Sequence, residues 1–108
     1  MKDGIYTVAF ESSQQSVGEG TVVVQNGWIH GGDMAFTIRG AVKRPVMELE
    51  IHHYNREIPS VLGMEEDYWL EVSYCEVGDG HYDFSGHVKG HPDRTLKAYA
   101  RLLTTLLT

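Results

Sequence analysis

The 108-residue sequence predicts an all-β protein: one domain over residues 1–108, folded as an eight-stranded antiparallel up-and-down small β-barrel. Three observations carry this. Apolar and polar residues alternate with period two through most of the chain, the spacing of half-buried strands. Twelve glycines against three prolines point to many turns and bends. The alternation is one-sided, so each strand offers one face to an enclosed apolar interior and the other to water.

The elements follow in order. In Ile5–Phe10, Tyr6, Val8 and Phe10 share a face. In Gly20–Gln25, Val22 and Val24 fall on one side, Thr21 and Gln25 on the other. Asn26-Gly27 comes next, a pair that readily takes the positive φ angles of a tight type I′ turn, and Trp28-Ile29-His30 starts the return strand. Gly31-Gly32-Asp33 is expected to turn the chain again, with Met34, Phe36 and Ile38 lining the next strand. Met47, Leu49 and Ile51 then alternate with Glu48, Glu50 and His52. Residues 55–66 have neither period and read as a crossing loop or short helical turn. Tyr68, Leu70, Val72 and Tyr74 alternate with Trp69, Glu71, Ser73 and Cys75; Gly78-Asp79-Gly80 turns, and Tyr82, Phe84 and Val88 alternate with His81, Asp83, Ser85 and His87.

The last segment fits two patterns. Leu96, Tyr99, Leu103, Leu106 and Leu107 make a helical stripe, whereas Leu96, Ala98, Ala100 and Leu102 make a strand face. Seven strands in a meander leave two open edges, and an eighth pairing back to the first removes both. A strand over 95–102 with a short helical tail is therefore expected. Eight strands make the smallest barrel that can fill with side chains or hold one small ligand. Gly18, Gly20, Gly40, Gly86, Ala98 and Ala100 fall at inward positions, where glycine permits bending and also leaves space; bending is the expected role.

Charge and composition narrow the function. Nine Lys+Arg against fifteen Asp+Glu give a net charge of −6, and the basic residues are scattered apart from Lys43-Arg44. Phosphate backbones and anionic membranes are bound by clustered cations, so direct nucleic-acid or membrane binding is disfavoured. No apolar run nears the ~20 residues of a spanning helix, and the first residues lack a secretory pattern. The lone Cys75 allows no internal disulfide. A cytoplasmic protein is expected.

Chemistry finds few footholds, and neither metal nor cofactor is expected. His81 and His87 share a face but stand ~20 Å apart on an extended strand, and His52-His53 point to opposite faces. His53 is expected inward beside Met47, Leu49 and Ile51 as a hydrogen-bonded core histidine. No nucleophile-elbow pattern occurs, and Cys75 lies among acidic residues that would raise its pKa. Gly31-Gly32-Asp33 precedes no helix, so Asp33 is expected to bond backbone amides in a turn. Catalysis is therefore not expected.

Binding is better supported. Val23, Trp69 and Tyr99 face outward by alternation and are candidate interface anchors. Glu65, Glu66 and Asp67 form a compact acidic run, a candidate docking patch or a solvated loop. Tyr6, Phe10, Phe36, Leu70, Tyr82 and Phe84 would line an interior ligand cavity.

The chain also resembles the GrlR-type family, bacterial negative regulators of type III secretion with a lipocalin-like barrel. The matching stretches are residues 1–6 (Met-Lys-Asp-Gly-Ile-Tyr), Gly18-Glu19-Gly20, Asn26-Gly27, Gly31-Gly32-Asp33, His52 with Tyr54-Asn55, and residues 57–62 (Glu-Ile-Pro-Ser-Val-Leu), with a looser match at residues 87–90. The resemblance implies a homodimeric barrel that sequesters a transcriptional activator protein, with an apolar cavity able to take a lipid-like molecule. The family's exposed acidic run between the fourth and fifth strands has no counterpart: that place reads Val42-Lys43-Arg44-Pro45-Val46. Two readings follow, a regulatory protein that occludes a partner and a carrier or sensor of a small apolar ligand. An apolar interior volume of ~300 Å³ or more would favour the carrier; a filled interior with a broad outward patch would favour the regulator.

Overall fold

A computed structural model describes residues 1–14, 17–60, 62–64 and 66–107. Eight strands follow one another: β1 (Gly4–Ser12), β2 (Val17–Gln25), β3 (Trp28–Gly32), β4 (Phe36–Ala41), β5 (Met47–His53), β6 (Tyr68–Gly78), β7 (His81–Val88) and β8 (His91–Thr104). Each pairs antiparallel with its neighbour in sequence, and β8 returns to β1, with Val8 opposite Ala100 and Phe10 opposite Ala98. The ring is thus a closed eight-stranded barrel. Every backbone ladder has a partner on both sides, which removes the unpaired edges that a seven-stranded meander would expose.

Alternation places the core as the sequence suggests. Val22, Val24, Met47, Leu49, Ile51, Tyr68, Leu70 and Val72 all point in and are buried. Full burial of such side chains contributes roughly 1.5–3 kcal/mol each. Asn26 and Gly27 both have positive φ, 51° and 80°, as a type I′ turn between β2 and β3 requires.

Two local expectations are corrected. Gly31 and Gly32 belong to β3 rather than to a turn, and the chain reverses over residues 33–35, leaving Met34 exposed. The strands crowd here: a Cβ on Gly31 would lie 2.2 Å from the Thr21 carbonyl oxygen. The described C-terminal residues hold no helix; β8 runs on to Thr104, and residues 105–107 have no regular structure. The strand wins because its inward residues Leu96, Ala98, Ala100 and Leu102 meet the core, while helical-stripe members Leu103 and Leu107 stand exposed.

The inward glycines mark close approach. A Cβ on Gly86 would sit 2.0 Å from the Glu71 carbonyl oxygen, and one on Gly18 would sit 2.6 Å from the Phe10 ring. Neighbours occupy the space, so these residues let strands bend together.

The two barrel ends are closed differently. At the end where β1 starts, Tyr6, Tyr74, Tyr82 and Phe84 form an aromatic cluster: Tyr6 and Tyr82 meet edge-on at 5.8 Å between centroids, and Tyr74 lies 5.7 Å from Phe84. Arg44, from the β4–β5 loop, sets its guanidinium 4.3 Å from the centre of the Tyr74 ring. At the opposite end the long β5–β6 loop closes over the barrel, with Leu62 buried beneath it and Ile58 packed on the core.

Candidate functional site

The interior comes first. An apolar cavity of about 90 Å³ lies inside the barrel, touched by Phe10, Phe36, Leu70 and Phe84. These are four of the six expected lining residues. Tyr6 and Tyr82 lie instead in the aromatic cluster, where their hydroxyls are engaged: Tyr6 donates to the Lys2 carbonyl oxygen at 2.5 Å, and the Lys2 amide donates to the Tyr82 hydroxyl at 3.3 Å. Burial, with Tyr82 alongside, pushes the Tyr6 hydroxyl far above the ordinary tyrosine value, so it stays neutral. An engineered dry cavity that admits benzene is about 150 Å³. This interior is smaller.

Sequence reasoning missed Leu62, which also lines the cavity from within the aperiodic loop. The loop is held down by polar contacts rather than by periodicity. Arg94 donates to the Leu62 carbonyl oxygen at 2.7 Å, and a His53 ring nitrogen, Nε2, bonds the Ile58 carbonyl oxygen at 2.6 Å. His53 faces inward as expected, stacked on Phe36 at 4.3 Å, but only half of its ring is satisfied: Nδ1 is buried without a partner among the described residues. Asp33 accepts from the Ala35 and Phe36 amides at 2.7 and 2.8 Å, as its turn role predicts, and Tyr54 donates to the Asp33 carbonyl oxygen. Burial raises the pKa of Tyr68 at the same end, partly offset by a hydrogen bond with Ser60.

The structure describes two of the three residues of the acidic run. Glu65 lies outside the described residues, Glu66 is exposed, and Asp67 is committed to the fold. Its carboxylate accepts from the His53 amide at 2.9 Å, contacts His52 Nδ1 at 2.7 Å, and lies 3.7 Å from Arg56. The His53 amide and then the His52 ring hold the Asp67 carboxyl below its usual range.

The outward anchors do not form one surface. Val23 is on β2, Trp69 on β6 and Tyr99 on β8. In a ring of eight, β2 and β6 are diametrically opposed, so no flat interface takes Val23 and Trp69 together. Tyr99 donates to Glu11 at 3.1 Å.

What the register does assemble is a wall that no single strand reveals. His30, Arg39, Glu50 and Trp69 lie opposite one another in sequence across β3, β4, β5 and β6. Two residues along β3, Trp28 lies opposite Ala41. Trp28 is 55% exposed and Trp69 45%. Between them lies an open hollow of about 610 Å³, lined also by Ala41, Lys43, Val46, Glu48 and Glu50. Arg39 grips Glu50 at 2.8 Å through both Nε and Nη2, and Lys89 reaches Glu48 at 2.8 Å. Trp28 could have been found from sequence, because an inward Ile29 places both its neighbours outside.

Comparison with known protein families and with curated proteins finds no match. Among solved structures, a redesigned beta barrel superposes with a TM-score of 0.64 over 94% of this chain and 91% of that one, at 10% identity. The shared feature is the barrel. At that identity the likeness speaks to fold alone, and function has to come from the site.

Proposed function

We propose that the protein is a non-enzymatic, cytoplasmic regulatory binding protein that works by covering a partner, as the GrlR-type regulators it resembles sequester a transcriptional activator. The observation that carries this reading is the contrast between inside and outside. The interior retains about 90 Å³, below the ~300 Å³ at which a carrier would be favoured. The outer wall of β3–β6 offers two exposed tryptophans and an arginine, the residue types enriched at binding hot spots. The homodimer implied by the resemblance is assigned to another side, where Tyr99 and Leu103 stand exposed on the outer face of β8.

Photo-cross-linking in the native cell tests both assignments, with a benzophenone amino acid placed singly at Trp69, at Tyr99 and, as a control, at Ser85. The expected products are a complex with a different protein from position 69 and a complex with a second copy from position 99. Position 69 giving no protein product, or the same products as position 85, would refute the partner surface. Absence of a self-cross-link from position 99 would refute the dimer assignment.

A further inference from the structure

We infer that His53 is a pH-sensitive latch for residues 54–60, the part of the β5–β6 loop that leaves β5 and covers the barrel mouth. The latch is closed while the imidazole is neutral and released when the ring takes a second proton. This goes beyond the binding reading above and does not depend on it.

The tautomer follows from the partners. A carbonyl oxygen can only accept, so the 2.6 Å contact between Nε2 and the Ile58 carbonyl oxygen places the proton of the neutral ring on Nε2. Nδ1 is then a bare lone pair, buried, with no donor offered by the described residues. A neutral acceptor left so is a modest cost. A protonated Nδ1 is a larger one: it is an N–H on a cation, in a residue only 6% exposed, with no acceptor to meet it. Flipping the ring, which lies stacked on Phe36, would carry Nε2 away from the Ile58 carbonyl.

The titratable and charged groups around the ring are committed elsewhere. On β5 and just beyond it, His52 meets Asp67 at 2.7 Å and the Tyr54 hydroxyl donates to the Asp33 carbonyl oxygen. In the β3–β4 turn, the Asp33 carboxylate accepts from the Ala35 and Phe36 amides. Beside β6, Asp67 accepts from the His53 main-chain amide and lies 3.7 Å from Arg56, while the Tyr68 hydroxyl bonds Ser60. Arg94 of β8 donates to the Leu62 carbonyl oxygen. Glu57 and Glu66 are exposed.

What the latch holds is one end of the interior. Ile58 packs on the core, and Phe36 and Leu62 line the cavity at that end. With the imidazolium solvated rather than enclosed, residues 54–60 swing clear and acid opens a route inward that neutral pH keeps shut. Closure is full above the ordinary histidine value of about 6.5 and weakens as pH falls through it. One linked proton changes the closed-to-open ratio by up to about tenfold per pH unit.

Amide hydrogen exchange by NMR, expressed as protection relative to an unfolded chain at the same pH, tests this alongside nitrogen-15 spectra of the imidazole. The Nε2–H tautomer is expected at pH 8. Protection of the Ile58 amide should then fall about tenfold between pH 6.5 and 5.5, with the midpoint of the ring titration, while β1 and β8 amides hold. His53→Gln, whose side-chain amide can donate to the Ile58 carbonyl without titrating, should show no such fall. A proton on Nδ1 at pH 8, a ring still neutral at pH 5, or a ring that takes its second proton with Ile58 protection unchanged each overturns the latch. So does an equal fall in His53→Gln, which would assign the acid response to another group. If that variant does not fold, the three outcomes in the parent decide.

Discussion

Leu62→Ala tests whether the β5–β6 loop is a packed part of the barrel. Leu62 is 1% exposed and touches the interior cavity. Truncation removes three carbon atoms, roughly 90 Å³ if each takes about the share of space of a water molecule. If the loop stays in place, that void joins the existing 90 Å³ and gives roughly 180 Å³. The cavity term then costs about 2 kcal/mol at 24 cal/mol per Å³, added to a transfer term of similar size, for a loss of about 4 kcal/mol. If the loop sinks, the loss falls toward about 2 kcal/mol, the lower end for such truncations. The two cases separate by ligand: a merged cavity exceeds the ~150 Å³ that admits benzene, so benzene should raise the melting temperature of Leu62→Ala and leave the parent unmoved. Chemical denaturation supplies the free energy and a thermal shift with benzene supplies the volume. A loss under about 0.5 kcal/mol, a value typical of surface positions, would refute the packing argument.

Two pH responses follow from the end structures. Tyr6 has its pKa raised, mainly by burial, so its stabilising contribution is full below the ordinary tyrosine value of 10.0 and is lost as pH rises through the elevated native value. Urea unfolding at pH 9 and 11 should show a fall in stability that Tyr6→Phe reduces; Tyr68 and Tyr99, also raised, keep part of it. Asp67 has the opposite sign: its contribution is present above the ordinary aspartate value and is lost as pH falls through its lowered native value. Below about pH 4, the protection of the His53 amide against hydrogen exchange, relative to an unfolded chain at the same pH, should fall in the parent, whereas in Asp67→Asn it should be low at neutral pH already.

Much of the barrel was legible because one rule, alternate facing, acts within each strand. It places Val22 and Val24, Met47 through His53, and Tyr68 through Val72 without reference to any neighbour. It fails where the relevant physics lies between segments. Gly31 and Gly32 look like a turn until the carbonyls of Thr21 and Phe36 are seen pressing on them. Leu62 sits in a stretch without periodicity and is buried by hydrogen bonds from Arg94 and His53, which no local pattern announces. The Trp28–Trp69 wall requires the register of four strands, and outwardness alone groups Trp69 wrongly with Val23 across the barrel. The helical reading of the last segment dissolves for the same reason: its winning partner, β1, is the most distant strand in sequence.

That final pairing governs how the molecule is made. On the ribosome the first strand emerges long before the last, and until residues 91–104 arrive, β1 and β7 each lie open along one side. Nascent barrels of this kind are at their most vulnerable to sticking together during that interval, and assembly dominated by such distant partners is slow. Any chain stalled or cut before its final strand would be left as a sticky intermediate rather than a smaller functional protein.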